Sequence, residues 1–106
     1  MIVRIWRGQA ESGSKADAYH RHFSETVAPE LQALRGNRGA WLLRRDFAGK
    51  TEFLAVTFWE SVEAIRGFAG DNVLSAIVEP EARAVLAAFD DFARHYELAF
   101  RMERPA

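Results

Sequence analysis

The chain contains no cysteine, so neither a disulfide framework nor thiol chemistry is open to it. It has no lysine- or arginine-rich run, and 14 basic residues against 15 acidic ones leave a formal net charge of -1. Nucleic acid and anionic membrane surfaces are therefore poor matches as partners. A nucleophile motif, a phosphate-binding glycine loop and a dinucleotide fingerprint are all missing. Met1-Ile2-Val3-Arg4 begins a strand directly, without the charged head and apolar core of a secretory signal, so the cytoplasm is the expected compartment. No internal repeat or low-complexity segment stands out. A composition 49% hydrophobic and 27% charged over 106 residues suits a single globular domain, residues 1–106, with one core.

What is present centres on residues 52–70. Glu52 to Glu60 is nearly all apolar, short, and rich in β-branched and aromatic residues, which predicts a strand. Phe53, Ala55, Thr57 and Trp59 then share one face, and Leu54, Val56 and Phe58 the other. After Trp59 the period changes. Val62, Ile65 and Phe68 lie three apart, which predicts a short amphipathic helix with Ser61 as its N-cap.

Upstream, Ile2 to Arg7 alternates as a first strand, with Val3, Ile5 and Arg7 on one face and Ile2, Arg4 and Trp6 on the other. Val3, Ile5 and Arg7 are taken as the inward set. Ser14 followed by Asp17 opens a helix whose stripe is Tyr19, Phe23, Val27, Leu31 and Leu34. Pro29 falls inside that pattern, so a kink or break is expected near Ala28. Ala40 to Phe47 forms a second strand, turned back through Ala48-Gly49-Lys50. An apolar patch over Val73–Val78 leads to a third helix at Glu79-Pro80-Glu81, and Phe92 to Phe100 is the last strand.

The order β-α-β-β-α-β, with an extra helical turn before the final strand, predicts an α+β, ferredoxin-like fold. Its antiparallel sheet has four strands, with helices on one face. Yet the second and third strands are apolar on both faces. Large side chains left in water forgo roughly 1.5–3 kcal/mol each relative to burial. A second copy packed sheet on sheet relieves this, so a homodimer is expected.

Three segments together resemble the antibiotic-biosynthesis-monooxygenase-like family. They are Phe53-Leu54-Ala55-Val56-Thr57-Phe58-Trp59-Glu60-Ser61-Val62-Glu63-Ala64-Ile65, Gly39-Ala40-Trp41-Leu42-Leu43-Arg44-Arg45 and His95-Tyr96-Glu97-Leu98. The resemblance spans nearly the whole chain. It implies a dimeric α+β barrel and cofactor-independent oxygenation of a small electron-rich aromatic of phenol or anthrone type. In that reaction the deprotonated substrate itself reduces oxygen, so no cofactor is implied. The alternatives are a non-catalytic dimer that binds a small hydrophobic molecule, and a heme-binding protein. The heme-degrading branch carries an asparagine, a tryptophan and an iron-ligating histidine at positions that correspond here to Arg7, Phe68 and Val78. All three differ, and valine cannot ligate iron.

Such a reaction needs a base, a group for the developing anion and a dry apolar pocket. Arg7 is the candidate for the anion; its alternative is an ion pair with a surface acid at the strand end. His22, just off the apolar stripe, is the candidate base, or simply a half-exposed helix residue. His95 has Glu97 on its own strand face, which points to a catalytic pair or to a structural or interface contact. Tyr19, Phe23, Trp59 and Phe68 are candidates to wall the substrate, or are plain core. His20 and His22 cannot share a metal from a regular helix, no ligand spacing occurs elsewhere, and no metal site is expected.

Overall fold

The computed structural model describes residues 1–106. At its centre lies β1 (Ile2–Glu11), antiparallel to β3 (Lys50–Trp59), with Ile2 opposite Trp59 and Glu11 opposite Lys50. On the far side of β3 runs β2 (Asn37–Phe47), closed by the Phe47–Lys50 pair. The remaining edge of β1 is filled by β4 (Ala88–Phe89) opposite Gly8 and Gln9, and by β5 (Arg94–Glu97) opposite Ile2 to Ile5. The order β2-β3-β1-β4, with β5 beside β1, is the ferredoxin-like arrangement read from the element order.

The last strand differs from the expected Phe92–Phe100. It is two short pieces, because the backbone between them is drawn away from β1. Ala76 N–H donates to the Asp91 carbonyl (2.9 Å) and Ala93 N–H to the Leu74 carbonyl (2.7 Å). This ties Leu74–Ala76 to the excursion. Trp6 Nε1 donates to the Asp90 carbonyl at 2.8 Å, fixing where the excursion starts. Past Leu98, whose N–H donates to the Met1 carbonyl (2.9 Å), the chain is irregular.

The first helical segment is α1 (Ser14–His22), a π-helical turn (Phe23–Val27) and α2 (Ala28–Gln32) in unbroken succession. Instead of breaking at Ala28, the helix widens by one residue just before Pro29, which has no N–H to give to the preceding turn. The widening also aligns the apolar stripe. Steps of four residues, Tyr19 to Phe23 to Val27 to Leu31, drift about 40° each on a regular helix, and the wide turn takes up part of that drift. α3 (Val62–Ala69) starts at Ser61, whose Oγ accepts from Ala64 N–H at 3.2 Å, and α4 (Pro80–Val85) follows Glu79.

The helices cover one face of the sheet. There Trp59, Phe53, Leu31 and Ile65 are fully buried, each contributing roughly 1.5–3 kcal/mol. Trp59 keeps its indole N–H satisfied by donating to Thr57 Oγ1 (2.8 Å). The other face of the sheet is uncovered. Trp41 is 63% exposed and Phe47 74%.

Candidate active site

A cleft opens between the helical layer and the covered face of β1 and β3. Because the register sets Arg4 opposite Thr57 and Trp6 opposite Ala55, these four side chains form its floor. Tyr19, His22, Phe23, Val27 and Leu31 descend from the helical side, Phe68 from α3, and Ile77, Val78, Glu79 and Ala82 close the remaining wall. Ten of the 14 lining residues are hydrophobic, so the few polar groups decide what it can hold. The space open to the centre of a water molecule is about 50 Å³, enough for a few waters.

Arg4 is the cation of this cleft. It is only 3% exposed. Its Nη1 donates to the Val73 carbonyl and lies 2.8 Å from His95 Nε2, and Nη2 donates to the Ser75 carbonyl at 2.7 Å. Phe68 stands 5.7 Å from its carbon centre, ring face toward it. None of the chain's ion pairs includes Arg4. Burial lowers the guanidinium to about 10, which still leaves it charged at neutral pH.

Behind Arg4, burial first and the guanidinium charge second hold the His95 imidazole below its usual range. A neutral ring accepts the Arg4 hydrogen bond. At the other side of the cleft, burial and then the neighbouring Glu30 carboxyl raise Glu79, against the charge of His22. Burial likewise raises the Tyr19 hydroxyl, keeping it a neutral donor.

The structure places two candidates, Arg7 and Trp59, outside the cleft. Arg7 projects from the uncovered face, where Nε meets Glu52 Oε2 at 2.5 Å and Arg45 grips Glu52 Oε1 at 2.8 Å. Val3 and Ile5 share that face, so the inward set of β1 is Ile2, Arg4, Trp6, Gly8 and Ala10 rather than Val3, Ile5 and Arg7. A one-residue change of parity exchanges the faces of an entire strand. His22, Tyr19, Phe23 and Phe68 line the cleft, whereas Trp59 is sealed in the core beside Phe68 (centroids 5.9 Å apart). His95 lies on the covered face, one step behind Arg4, and its partner is Arg4 rather than Glu97.

Arg4, Glu79 and Thr57 were not singled out from the sequence. The available signal was size: Ala55 and Thr57 are the small members of β3 and leave room for Trp6 and Arg4 opposite. No group of three or more His, Asp or Glu side chains is placed to hold a metal ion.

No sequence-family model matches the chain, and no curated protein sequence matches it significantly. Solved structures do. An antibiotic biosynthesis monooxygenase-class protein from Bacillus cereus superposes with a TM-score of 0.64 at 15% identity, over 97% of each chain. The fold is that of the antibiotic-biosynthesis-monooxygenase-like proteins. Two other structures with this monooxygenase-like fold differ in chemistry. SnoaB from Streptomyces nogalater, a cofactor-independent oxygenase solved as a mutant, matches 99% of this chain and 98% of its own (TM-score 0.58, 19% identity). The heme-degrader MhuD from Mycobacterium tuberculosis, with two hemes in its active site, matches 97% of this chain and all of its own (TM-score 0.65, 20% identity).

Proposed function

We propose that the chain is a cofactor-independent oxygenase of a small electron-rich aromatic, of phenol or anthrone type, working as a homodimer. The observation that carries this is a buried guanidinium without a carboxylate, Arg4, in a cleft walled by Tyr19, Phe23 and Phe68 and bearing His22. His22 takes a proton from the substrate, with the Glu79 carboxyl within electrostatic reach to share it. The resulting oxyanion is stabilised by Arg4 in a water-poor site, where such an interaction is strongest. The electron-rich anion passes one electron to oxygen, and the radical pair combines to a peroxide on carbon. Loss of water from that peroxide, with the remaining hydrogen on the same carbon, leaves a carbonyl. One oxygen atom enters the product and the other departs as water. SnoaB, a cofactor-independent oxygenase, supports the reading through its fold.

Oxygen-electrode measurements with hydroxylated anthrones and naphthols test it. Uptake of one oxygen molecule per substrate is expected, and His22→Ala should lower kcat by about 10²–10⁴. Ligand binding in a thermal-shift screen without oxygen uptake would instead make the chain a non-catalytic binder of small hydrophobic molecules. Heme binding fits less well, because Val78 stands in the cleft at the position that the resemblance assigns to the iron-ligating histidine; a hemin titration that leaves the Soret band unshifted removes it.

A further inference from the structure

Five N–H groups radiate from an arginine head. In Arg4 three are engaged: two on Nη1, by the Val73 carbonyl and His95, and one on Nη2, by the Ser75 carbonyl. Every one of these partners is neutral or uncharged in the form that accepts, so they hold the head in place while cancelling none of its charge. The Nε–H and one Nη2–H are left over. A buried charge with no counter-ion costs stability, and no carboxylate of the chain relieves it. Asn37 Nδ2 is the one buried side-chain polar atom with neither partner nor solvent. Arg4 Nε is therefore not sealed from solvent, and Arg4 lines the cleft. Tyr19 lines the same cleft, and its hydroxyl likewise makes no hydrogen bond within the chain while not being sealed off.

The unused donors have a geometry. Two unused N–H groups on one planar head match the two oxygens of a carboxylate. A phosphate dianion would call for more cationic groups than this apolar cleft holds, and a lone phenolate oxygen would leave one donor unmet. Resting on the reading of this cleft as the substrate site, we propose that its ligand is an aromatic monocarboxylic acid. The carboxylate sits on the free N–H groups of Arg4, and the ring lies against the aromatic wall of the same cleft, Tyr19, Phe23 and Phe68.

Two probes of equal shape test the assignment on the intact chain: naphthalene-2-carboxylate and naphthalene-2-carboxamide, titrated at pH 7 by calorimetry. The wild type should bind the carboxylate at least about tenfold more tightly, the scale of hydrogen bonds to a charged group. Arg4→Met should abolish that preference by weakening the carboxylate far more than the carboxamide, and Arg4→Lys, a point charge without the two-pronged edge, should fall between. Arg4→Met takes the donor from the Val73 and Ser75 carbonyls and so loses stability, but it introduces no new buried polar group and should fold. Should it not, the wild type and Arg4→Lys decide alone. Equal wild-type affinity for the two probes overturns the carboxylate assignment; persistent oxygen uptake on neutral anthrones would then leave the oxygenase reading intact. If neither probe binds, the carboxylate assignment falls likewise, and oxygen uptake on neutral anthrones decides the oxygenase reading separately.

Discussion

At the scale of single residues, the contact that most constrains the site is the one between Arg4 and His95. The imidazole must stay neutral to accept from Nη1, and its pKa lies below the ordinary value of 6.5 because of burial and the adjacent charge. A group whose folded pKa is depressed contributes stability above its unfolded pKa and loses it as pH falls toward the folded value. Stability should therefore decline as pH drops below about 6.5. His95→Gln keeps an acceptor for Arg4 but has no proton to take up. Chemical denaturation at pH 8 and pH 5.5 should show a smaller loss for His95→Gln than for the wild type, and equal losses would rule out His95 as a source of the pH dependence. Gly8 has a humbler part. A Cβ there would lie 2.7 Å from the Trp6 ring, so the indole can lie along β1 only over a residue without a side chain.

Among the elements, the β2–β3 hairpin and the edge of β1 show what a sequence can and cannot disclose. The hairpin was legible from Ala48-Gly49 between two apolar runs, and the structure closes it with a two-residue turn in which both residues have positive φ, 53° and 78°. Alanine is an awkward occupant, since a side chain in the left-handed region costs about 1–2 kcal/mol and asparagine tolerates it better. Ala48→Asn should thus stabilise the chain by about 1 kcal/mol, seen as a higher denaturation midpoint with an unchanged slope. A lower midpoint would mean the turn is not strained. The parity of β1 was not legible, for a physical reason. Alternation reveals an inward face only when the two faces differ, and Ile2, Arg4 and Trp6 are about as apolar in sum as Val3, Ile5 and Arg7. Only the pairing with β3 resolves it, and pairing is a long-range contact. The split final strand escaped for the same reason: the carbonyl of Leu74 and the N–H of Ala76 that divert it lie well before it in the chain.

Taken as a whole molecule, the chain carries more surface than a self-sufficient monomer should. A folded protein of 12.0 kDa is expected to expose about 6,000 Å², whereas this one exposes 6934 Å². The surplus, part of it from the extended tail beyond Leu98, is close to the ~800 Å² that each partner covers in a stable interface. Its location is specific. Trp41, Leu43, Phe47 and Tyr96 stand exposed on the uncovered face, and the Trp41 ring meets Phe58 edge-on at 5.1 Å, so the patch is already ordered without a partner. The charged cluster there, Glu52 between Arg7 and Arg45, is internally paired and can be covered at less cost than isolated charges. These features support a dimer interface on this face, back to back across a two-fold axis, with each cleft turned outward on the opposite side. Sedimentation equilibrium at micromolar concentration should accordingly return twice the 12.0 kDa chain mass. Trp41→Asp combined with Phe47→Ser withdraws four large side chains per dimer, at roughly 1.5–3 kcal/mol apiece, and sets two like charges near the axis. That variant should sediment as a single chain yet keep its affinity for cleft ligands, since no cleft residue is touched. A wild type that runs as one chain would refute the sheet-to-sheet dimer outright, and a dimeric variant would move the interface elsewhere.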